Sequence, residues 1–347
     1  MERRTFIRVI SGGFLAAPLA VEAQQTAKVW RVGFLGGGAR TPDGAPPLAL
    51  RQALQELGYV EQQNVIYLGR WAEAKRDRLP GLAAELVGLN VDAIVTVGGP
   101  ASEAAKQATS SIPIVLAQVG DADSIGLIES LARPGGNVTG ITDQSAELSA
   151  KRLEFLKEAV PKATRIAVLW NAADRGMTLR YQQVEKAAQI LHVTVQPLGV
   201  REPDDFEVAF SAMTLKRPDA LFLVTDALTN LNRKRVIDFA GLHRIPAMYE
   251  FGHLVHDGGL MSYGPNQDDN FRRAAVYIDR IFKGAKPNGL PVERPSRYYL
   301  LINLRTAKAL GLTIPPSLLG RADEVIQKTM QSDLHWARPT ASSAPIP

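Results

Sequence analysis

Short apolar runs alternate with stretches of helical periodicity from Val29 onward, and this alternation occurs twice along the chain. The runs of the first series are Val32–Leu35, Asn64–Trp71, Asp92–Val97 and Ile112–Val119. Between these runs, apolar residues spaced three and four apart predict amphipathic helices. Strands that alternate with helices form a parallel sheet with helices on both faces, so the first series predicts an α/β lobe.

A second series repeats this plan between residues 165 and 263. Its predicted strands are Arg165–Trp170, Val193–Val200, Ala220–Thr225, Pro246–Glu250 and Gly258–Tyr263. Its predicted helices are Met177–Leu191, Asp204–Leu215 and Asn230–His243. The sequence therefore predicts two doubly wound parallel-sheet lobes, with connections near Asn137–Asp143, Tyr263–Gln267 and Pro291–Arg297. These connections assign residues 28–142 and 264–294 to the first lobe, and residues 143–263 and 295–327 to the second.

Both ends of the chain differ from the rest in composition. A basic start and an apolar stretch from Phe6 to Ala20 precede Val21-Glu22-Ala23, which is typical of a secretory signal cleaved near Ala23. The pair Arg3-Arg4 favours a twin-arginine signal over residues 1–23, with an ordinary secretory signal as the alternative. We therefore expect a periplasmic protein. Residues 328–347 are rich in Pro, Ser and Ala, and we expect a disordered tail there.

Composition and motifs exclude several kinds of chemistry. The chain has no cysteine, which excludes disulfides, thiolate metal sites and a lipidated N-terminal cysteine. Its 40 Lys+Arg and 35 Asp+Glu residues are spread along the chain, so no basic footprint for nucleic acid is present. No phosphate-binding or nucleophile-elbow motif occurs. His253 and His256 lie near Glu250 and Asp257, but the glycines around them indicate a loop, so no spacing predicts the three or four convergent ligands of a metal site. We expect a monomer that needs no cofactor or metal and catalyses no reaction.

Candidate ligand-binding residues follow three strands of the first lobe. They are Gly36, Gly37, Gly98, Gly99, Ser102 and Asp121. Pro100 predicts the start of a helix, whose free backbone N–H groups would point into the crevice at the sheet edge. A carboxylate or phosphate would fit there, with the Ser102 hydroxyl as an additional partner. The alternative is that the glycines only make tight turns and that Ser102 only caps its helix or faces solvent.

The second lobe supplies matching candidates at the ends of its own strands. Asn171, Asp226 and Glu250 lie at or just beyond predicted strand ends, where an acid accepts hydrogen bonds from a ligand amine or hydroxyl. Tyr249 and Tyr263 are aromatic candidates for stacking on a planar ligand. The alternatives are a helix cap or turn for each polar residue, and core packing for each aromatic residue.

Several stretches resemble one protein family, in the same order along the chain. They are Ser130–Gly140, Arg244–Tyr249, Gly258–Gly264, Lys283–Pro287, Leu290–Glu293, Ile302–Leu304, Ala307–Pro316 and Arg321–Ile326. They are similar to periplasmic substrate-binding proteins of ABC transporters, in the group with tryptophan- and phenylalanine-binding members. The resemblance implies a type I periplasmic-binding fold, with a three-strand hinge between the lobes and ligand in the cleft.

The resemblance also implies roles for individual residues. Gly98, Gly99 and Ser102 would bind a ligand carboxylate, and Asp226 or Glu250 would bind an amine. Gly99 stands where a threonine is frequent, and Asp121-Ala122-Asp123 replaces a more usual Asp-Pro, so the ligand of known members does not transfer directly.

We therefore expect a periplasmic solute receptor of an ABC importer. It would capture a small polar ligand, such as an amino acid, by hinge closure and then dock on a permease in the inner membrane. The alternatives are a periplasmic ligand sensor for a signalling partner and a secreted enzyme that uses the same cleft.

Overall fold

The computed structural model describes residues 28–143 and 145–327, which form two α/β lobes. The expected export signal at residues 1–23 and the expected tail at residues 328–347 lie outside the described residues. No helix within the described part of the chain is both long and apolar enough to cross a lipid bilayer.

The first lobe contains a five-stranded parallel sheet. Its strands are β1 (Trp30–Gly36), β2 (Val65–Trp71), β3 (Ala93–Val97), β4 (Ile114–Gly120) and β5 (Val138–Asp143), in the order β2-β1-β3-β4-β5. The helices between them are α1 (Leu48–Glu56), α2 (Leu79–Gly88) and α3 (Gly99–Ala108). Val32 and Phe34 pack on one face of the sheet, and Leu35 and Ile94 pack on the other. Both faces are therefore buried, as the apolar runs predicted.

The second lobe contains a seven-stranded sheet. The elements of its first part are α4 (Ser145–Ala159), β6 (Arg165–Asn171), α5 (Arg175–Ile190), β7 (Thr194–Val200), α6 (Asp205–Leu215), β8 (Ala220–Leu223), α7 (Ala227–Leu231), α8 (Arg233–Leu242), β9 (Ala247–Tyr249), α9 (Gly252–His256) and β10 (Met261–Gly264). The chain then passes back to the first lobe and returns to the second. There it forms β11 (Tyr299–Asn303), α11 (Leu304–Leu310), α12 (Pro316–Leu319) and β12 (Glu324–Ile326). The strand order is β12-β11-β10-β9-β8-β6-β7, and the β10–β11 pair is antiparallel.

One long helix of the first lobe comes from late in the sequence. This helix, α10 (Gln267–Phe282), packs against α1 and the first sheet. Phe282 stacks on Trp30 with ring centroids 4.0 Å apart, and the Tyr59 hydroxyl donates a hydrogen bond to Asp279 Oδ1 at 3.0 Å. The chain thus passes between the lobes at Asp143/Ser145, Gly264–Gln267 and Glu293–Tyr299 within the described residues.

The prediction of two α/β lobes is confirmed, but three local assignments differ. The stretch Asn137–Asp143, expected as a connection, contains strand β5, which is hydrogen-bonded to β4, and the crossing follows directly after it. The single helix expected at Asn230–His243 is two helices, because Asp226 caps the start of α7 earlier and the helical conformation is interrupted at Asn232. The strand expected from Gly258 begins only at Met261, because Gly258 has a φ of +110° and turns the chain out of α9.

Candidate ligand-binding cleft between the lobes

A cavity of about 190 Å³ lies between the lobes, where the carboxyl ends of strands from both sheets face each other. Carboxyl ends of parallel strands are where α/β folds usually bind ligands. An engineered cavity of about 150 Å³ in another protein holds benzene, so this space is large enough for a small ring-bearing molecule.

The wall contributed by the first lobe includes several glycines, at which backbone lines the cavity. Gly37 follows β1 on this wall, and Gly98 and Gly99 lie between β3 and α3. Gly98 has a φ of +86°, a conformation that favours glycine. By their position in the first turn of α3, the N–H groups of Gly99 and Ala101 have no acceptor within the helix. This wall therefore offers hydrogen-bond donors to an anionic group.

The wall contributed by the second lobe carries carboxylates. Asp226 Oδ2 accepts a hydrogen bond from Asn171 Nδ2 at 2.6 Å, and Asp226 Oδ1 caps α7 through the N–H of Thr229. Burial raises the pKa of Asp226, although its hydrogen bonds with Thr229 and Asn171 oppose that shift. Asp174, which caps α5, lines the same wall. A cationic ligand group would favour the ionised form of Asp226, and Oδ2, which accepts one hydrogen bond, can accept a further one.

Apolar side chains form a section of the remaining lining, which also includes the charged residues Arg76, Asp143 and Arg180. Ile125 comes from the first lobe, and Met177 and Phe251 come from the second. The ring of His253 is nearly parallel to that of Phe251, and its Nε2 lies 2.8 Å from Asn230 Oδ1. Burial lowers the pKa of His253, which favours the neutral imidazole. The cleft thus combines charged walls with an apolar section.

Contacts between the two walls show that the cleft is closed in this structure. The Arg76 guanidinium of the first lobe donates a hydrogen bond to the Ala173 carbonyl of the second. A Cβ placed on Gly37 would lie 3.1 Å from the Cβ of Ala227 across the cleft. Ala74 of the first lobe also packs against the apolar core of the second.

A cluster of buried charges adjoins the cavity, and one of its members, Arg180, lines the cavity. Glu250, just after β9, accepts hydrogen bonds from Arg152 Nη1 and Arg180 Nη1, each at 2.9 Å, and from the N–H of Thr225. The Glu250 and Arg152 side chains are fully buried. Asp121 lies at the edge of this cluster, where burial raises its pKa to about 6 although Arg180 acts in the opposite direction.

The structure brings five of the sequence-predicted site residues to the cavity surface: Gly37, Gly98, Gly99, Asn171 and Asp226. The other six do not line it: Gly36, Ser102, Asp121, Tyr249, Glu250 and Tyr263.

Each polar residue outside the lining has partners within the protein. The Ser102 hydroxyl is 2.7 Å from Thr96 Oγ1 and donates to the Gly98 carbonyl. Asp121 accepts a hydrogen bond from the N–H of Ala146, and Glu250 binds two arginines.

The remaining three residues are held by packing or by the sheet. Tyr249 is buried in the core of the second lobe. Tyr263 packs edge-on against Phe155, with ring centroids 5.0 Å apart. Gly36 still belongs to β1, so the bend into the cleft begins one residue later, at Gly37.

Sequence reasoning missed several residues that line the cleft. They are Arg76, Gln118, Asp143, Asp174, Arg180, Thr225, Asn230, Phe251, His253 and Gln267, among others. Asp174 had a usable signal, because an acid between a strand and a helix is a common cap. Arg180 had none, since it lies inside α5 and its acidic partners are distant in sequence.

Comparison with known proteins identifies the family. The family model described as ABC transporter substrate binding protein matches residues 48–326. The chain belongs to this family. It is therefore a substrate-binding protein for small ligands and not an enzyme, and the resemblance drawn from the sequence motifs is confirmed.

Individual relatives of this substrate-binding protein agree with that assignment. A tyrosine-binding protein of Clostridioides difficile (strain R20291) is 27% identical over 261 residues, or 75% of each chain. The ABC domain in complex with L-Trp from Streptococcus pneumonia is 25% identical, with a TM-score of 0.79 over 86% of this chain and 100% of that one. A conserved domain protein from Vibrio cholerae O1 biovar El Tor strain N16961 is 26% identical, with a TM-score of 0.80 and the same coverage.

Proposed function

We propose that this substrate-binding protein is a periplasmic receptor that captures a zwitterionic amino acid and delivers it to an ABC permease in the inner membrane. The observation that carries the proposal is that one cleft wall offers backbone N–H groups at a helix start and the facing wall offers the carboxylates of Asp226 and Asp174. Backbone N–H groups at Gly99 and Ala101 suit a carboxylate, and the carboxylates of Asp226 and Asp174 suit an ammonium group. A zwitterion satisfies both walls at once.

The apolar section of the cleft supports a ligand with an apolar or aromatic side chain. Ile125, Met177 and Phe251 offer an apolar surface next to the charged walls. Two relatives are a tyrosine-binding protein and a domain in complex with L-Trp. We therefore assign an aromatic amino acid as the first class of ligand to examine.

Asp226, and not Glu250, is the acid proposed to bind the ammonium group. Both carboxylate oxygens of Glu250 accept hydrogen bonds from arginines, and its side chain is fully buried. Asp226 lines the cavity, and its accepted hydrogen bonds come from uncharged groups, namely Asn171 and Thr229. The Asp226 carboxylate can therefore still bind a cationic group of the ligand.

Hinge closure is the proposed mechanism of capture. Ligand would enter an open cleft, contact both walls and shift the population of the molecule toward the closed form. The expected export signal at residues 1–23 supports a periplasmic location, where the closed protein would meet the permease.

The test is calorimetric titration of wild type and the Asp226→Asn variant. The ligands are L-tyrosine, L-tryptophan and L-phenylalanine, together with an analogue of each that lacks the amine. Charge-assisted hydrogen bonds contribute about 1.5–3 kcal/mol, so we expect Asp226→Asn to weaken amino-acid binding by roughly 10- to 100-fold. The deaminated analogues, which bind more weakly, should be almost unaffected by the variant.

A matched control is Asp204→Asn, because Asp204 is an exposed acid of the same lobe and its side chain makes no capping hydrogen bond. It should bind like wild type. Equal losses for ligands with and without the amine would contradict the role of Asp226. Absence of binding across the whole panel would contradict the proposed ligand class.

A further inference from the structure

Gly120, the last residue of β4, lies against the guanidinium of Arg180, a residue of the second lobe. Its φ is not in the positive range, so the backbone conformation alone does not require glycine. A Cβ at this position would lie 1.8 Å from Arg180 Nη2, 2.8 Å from Arg180 Cζ and 2.9 Å from Asp143 Oδ1. Glycine is therefore needed at the end of β4 to make room for the guanidinium of the second lobe.

The head group of Arg180 is shared between the lobes. In the second lobe, Nη1 donates to Glu250 Oε2 at 2.9 Å. Toward the first lobe, Nη2 donates to Asp143 Oδ1 at 3.4 Å, and Nε lies 4.0 Å from Asp121 Oδ2. Only 4% of the Arg180 side chain is exposed, so these charges interact with little screening by solvent.

The second lobe holds Arg180 through a buried anchor. Glu250 also accepts hydrogen bonds from Arg152 Nη1 and the N–H of Thr225, and Arg152 Nε donates to the Tyr263 carbonyl at 2.6 Å. All these partners belong to the second lobe. When the lobes separate, Arg180 should therefore remain with Glu250 and lose its contacts with the first lobe, including those with Gly120 and Asp143.

We propose that Arg180 is a positioning residue that couples closure of the cleft to ligand binding, and that Gly120 is its docking site on the first lobe. Arg180 and Gly120 both line the cavity. The contact of the Arg180 guanidinium with the first lobe therefore belongs to the same closed form of the molecule that would hold the ligand. The coupling to ligand rests on the proposed function, whereas the docking itself does not.

Docking can be measured without ligand by the rate at which a disulfide forms between the lobes. The chain contains no cysteine, so two introduced cysteines would be its only thiols. The pair Gly37→Cys and Ala227→Cys places one thiol in each lobe, at positions whose Cβ atoms would be 3.1 Å apart. Disulfides need Cβ atoms about 3.5–4.5 Å apart, so a small adjustment permits the bond only while the cleft is closed. The rate of disulfide formation with oxidised glutathione then reports how often the lobes close.

In this two-cysteine background, Gly120→Ala should slow disulfide formation by roughly 10-fold, a coupling expected of directly contacting residues. Gly88→Ala is the matched control, because Gly88 lies in α2 and a Cβ there meets no atom within 4 Å. The control should cross-link at the parent rate. Equal rates for Gly120→Ala and its parent would overturn the proposal.

Rescue by a second substitution separates docking from a local distortion of β4. Arg180→Lys keeps the positive charge but removes the Nη2 and Cζ atoms that the new Cβ would meet. The double variant Gly120→Ala/Arg180→Lys should therefore cross-link faster than Gly120→Ala alone. No recovery would overturn the proposal, because a defect confined to β4 does not respond to a change in α5.

Titration with the amino acid that wild type binds is the second readout. Gly120→Ala should raise the Kd by a factor similar to that by which it slows cross-linking, and Gly88→Ala should not change it. An unchanged Kd together with slower cross-linking would remove the coupling to ligand. A wild type that binds no amino acid would contradict the proposed function, while the cross-linking rates would still decide the docking of Arg180.

Discussion

Ser102 lies near the carboxyl edge of the first sheet, but its hydroxyl is used entirely within the first lobe. It contacts Thr96 Oγ1 and the Gly98 carbonyl, and the residue is fully buried. We expect Ser102→Ala to lower the free energy of unfolding by about 1 kcal/mol, through loss of these hydrogen bonds. The Kd for ligand should change by less than about twofold, since the hydroxyl does not line the cavity.

Urea denaturation and calorimetric titration check these two expectations for Ser102. Ser110→Ala is a suitable control, because Ser110 is exposed in the loop after α3. A tenfold loss of affinity in Ser102→Ala at unchanged stability would assign the hydroxyl to the ligand.

The position of polar residues at predicted strand ends identified only some of the residues that line the cleft. The same rule selected Asp226 and Glu250, yet only Asp226 lines the cavity. Glu250 is covered by Arg152 and Arg180, which lie 98 and 70 residues away in sequence. A partner that comes from a distant helix leaves no local signal, so sequence identifies the sheet edge but not which acid on it is free.

At the scale of elements, apolar runs predicted most central strands, whereas β5 was missed. Its sequence, Val138–Asp143, mixes threonine and glycine with apolar residues and resembles a linker. The hydroxyl of Thr139 donates to the Leu290 carbonyl, and the N–H of Glu293 donates to the Gly140 carbonyl. These partners lie just before and at the start of the third passage of the chain between the lobes, so only the assembled fold explains a buried strand with such polar residues.

The start of α10 is another element-scale feature, because the chain returns to the first lobe there. Asn266 caps this helix by accepting hydrogen bonds from the N–H groups of Asp268 and Asp269 at 2.9 and 3.4 Å. Phe271 and Ile278 of α10 are buried in the core of the first lobe. We expect Asn266→Ala to lower the free energy of unfolding by about 1 kcal/mol, as loss of a cap does in other proteins.

Urea denaturation checks the role of this cap. Asn266→Ser should retain most of the stability, because serine caps helices about as well as asparagine. Equal stability of the alanine and serine variants would show that the cap hydrogen bonds contribute little.

At the scale of the whole molecule, the ligand would connect two bodies that the chain itself joins at only a few points. The passages between the lobes lie at Asp143/Ser145, Gly264–Gln267 and Glu293–Tyr299. The two cleft walls belong to different lobes, so a ligand that contacts both favours the closed form over the open one. The Arg76–Ala173 hydrogen bond and the Gly37–Ala227 approach also span the lobes and should be lost on opening.

Small-angle X-ray scattering should therefore detect capture as a change in overall size. We expect the ligand-free protein to have a larger radius of gyration than the closed structure, and a saturating amino acid ligand to reduce it. A deaminated analogue, at a concentration where it does not bind, should leave the radius unchanged. Ligand binding measured by calorimetry without any decrease in the radius would contradict hinge closure, because capture would then occur between lobes that do not move.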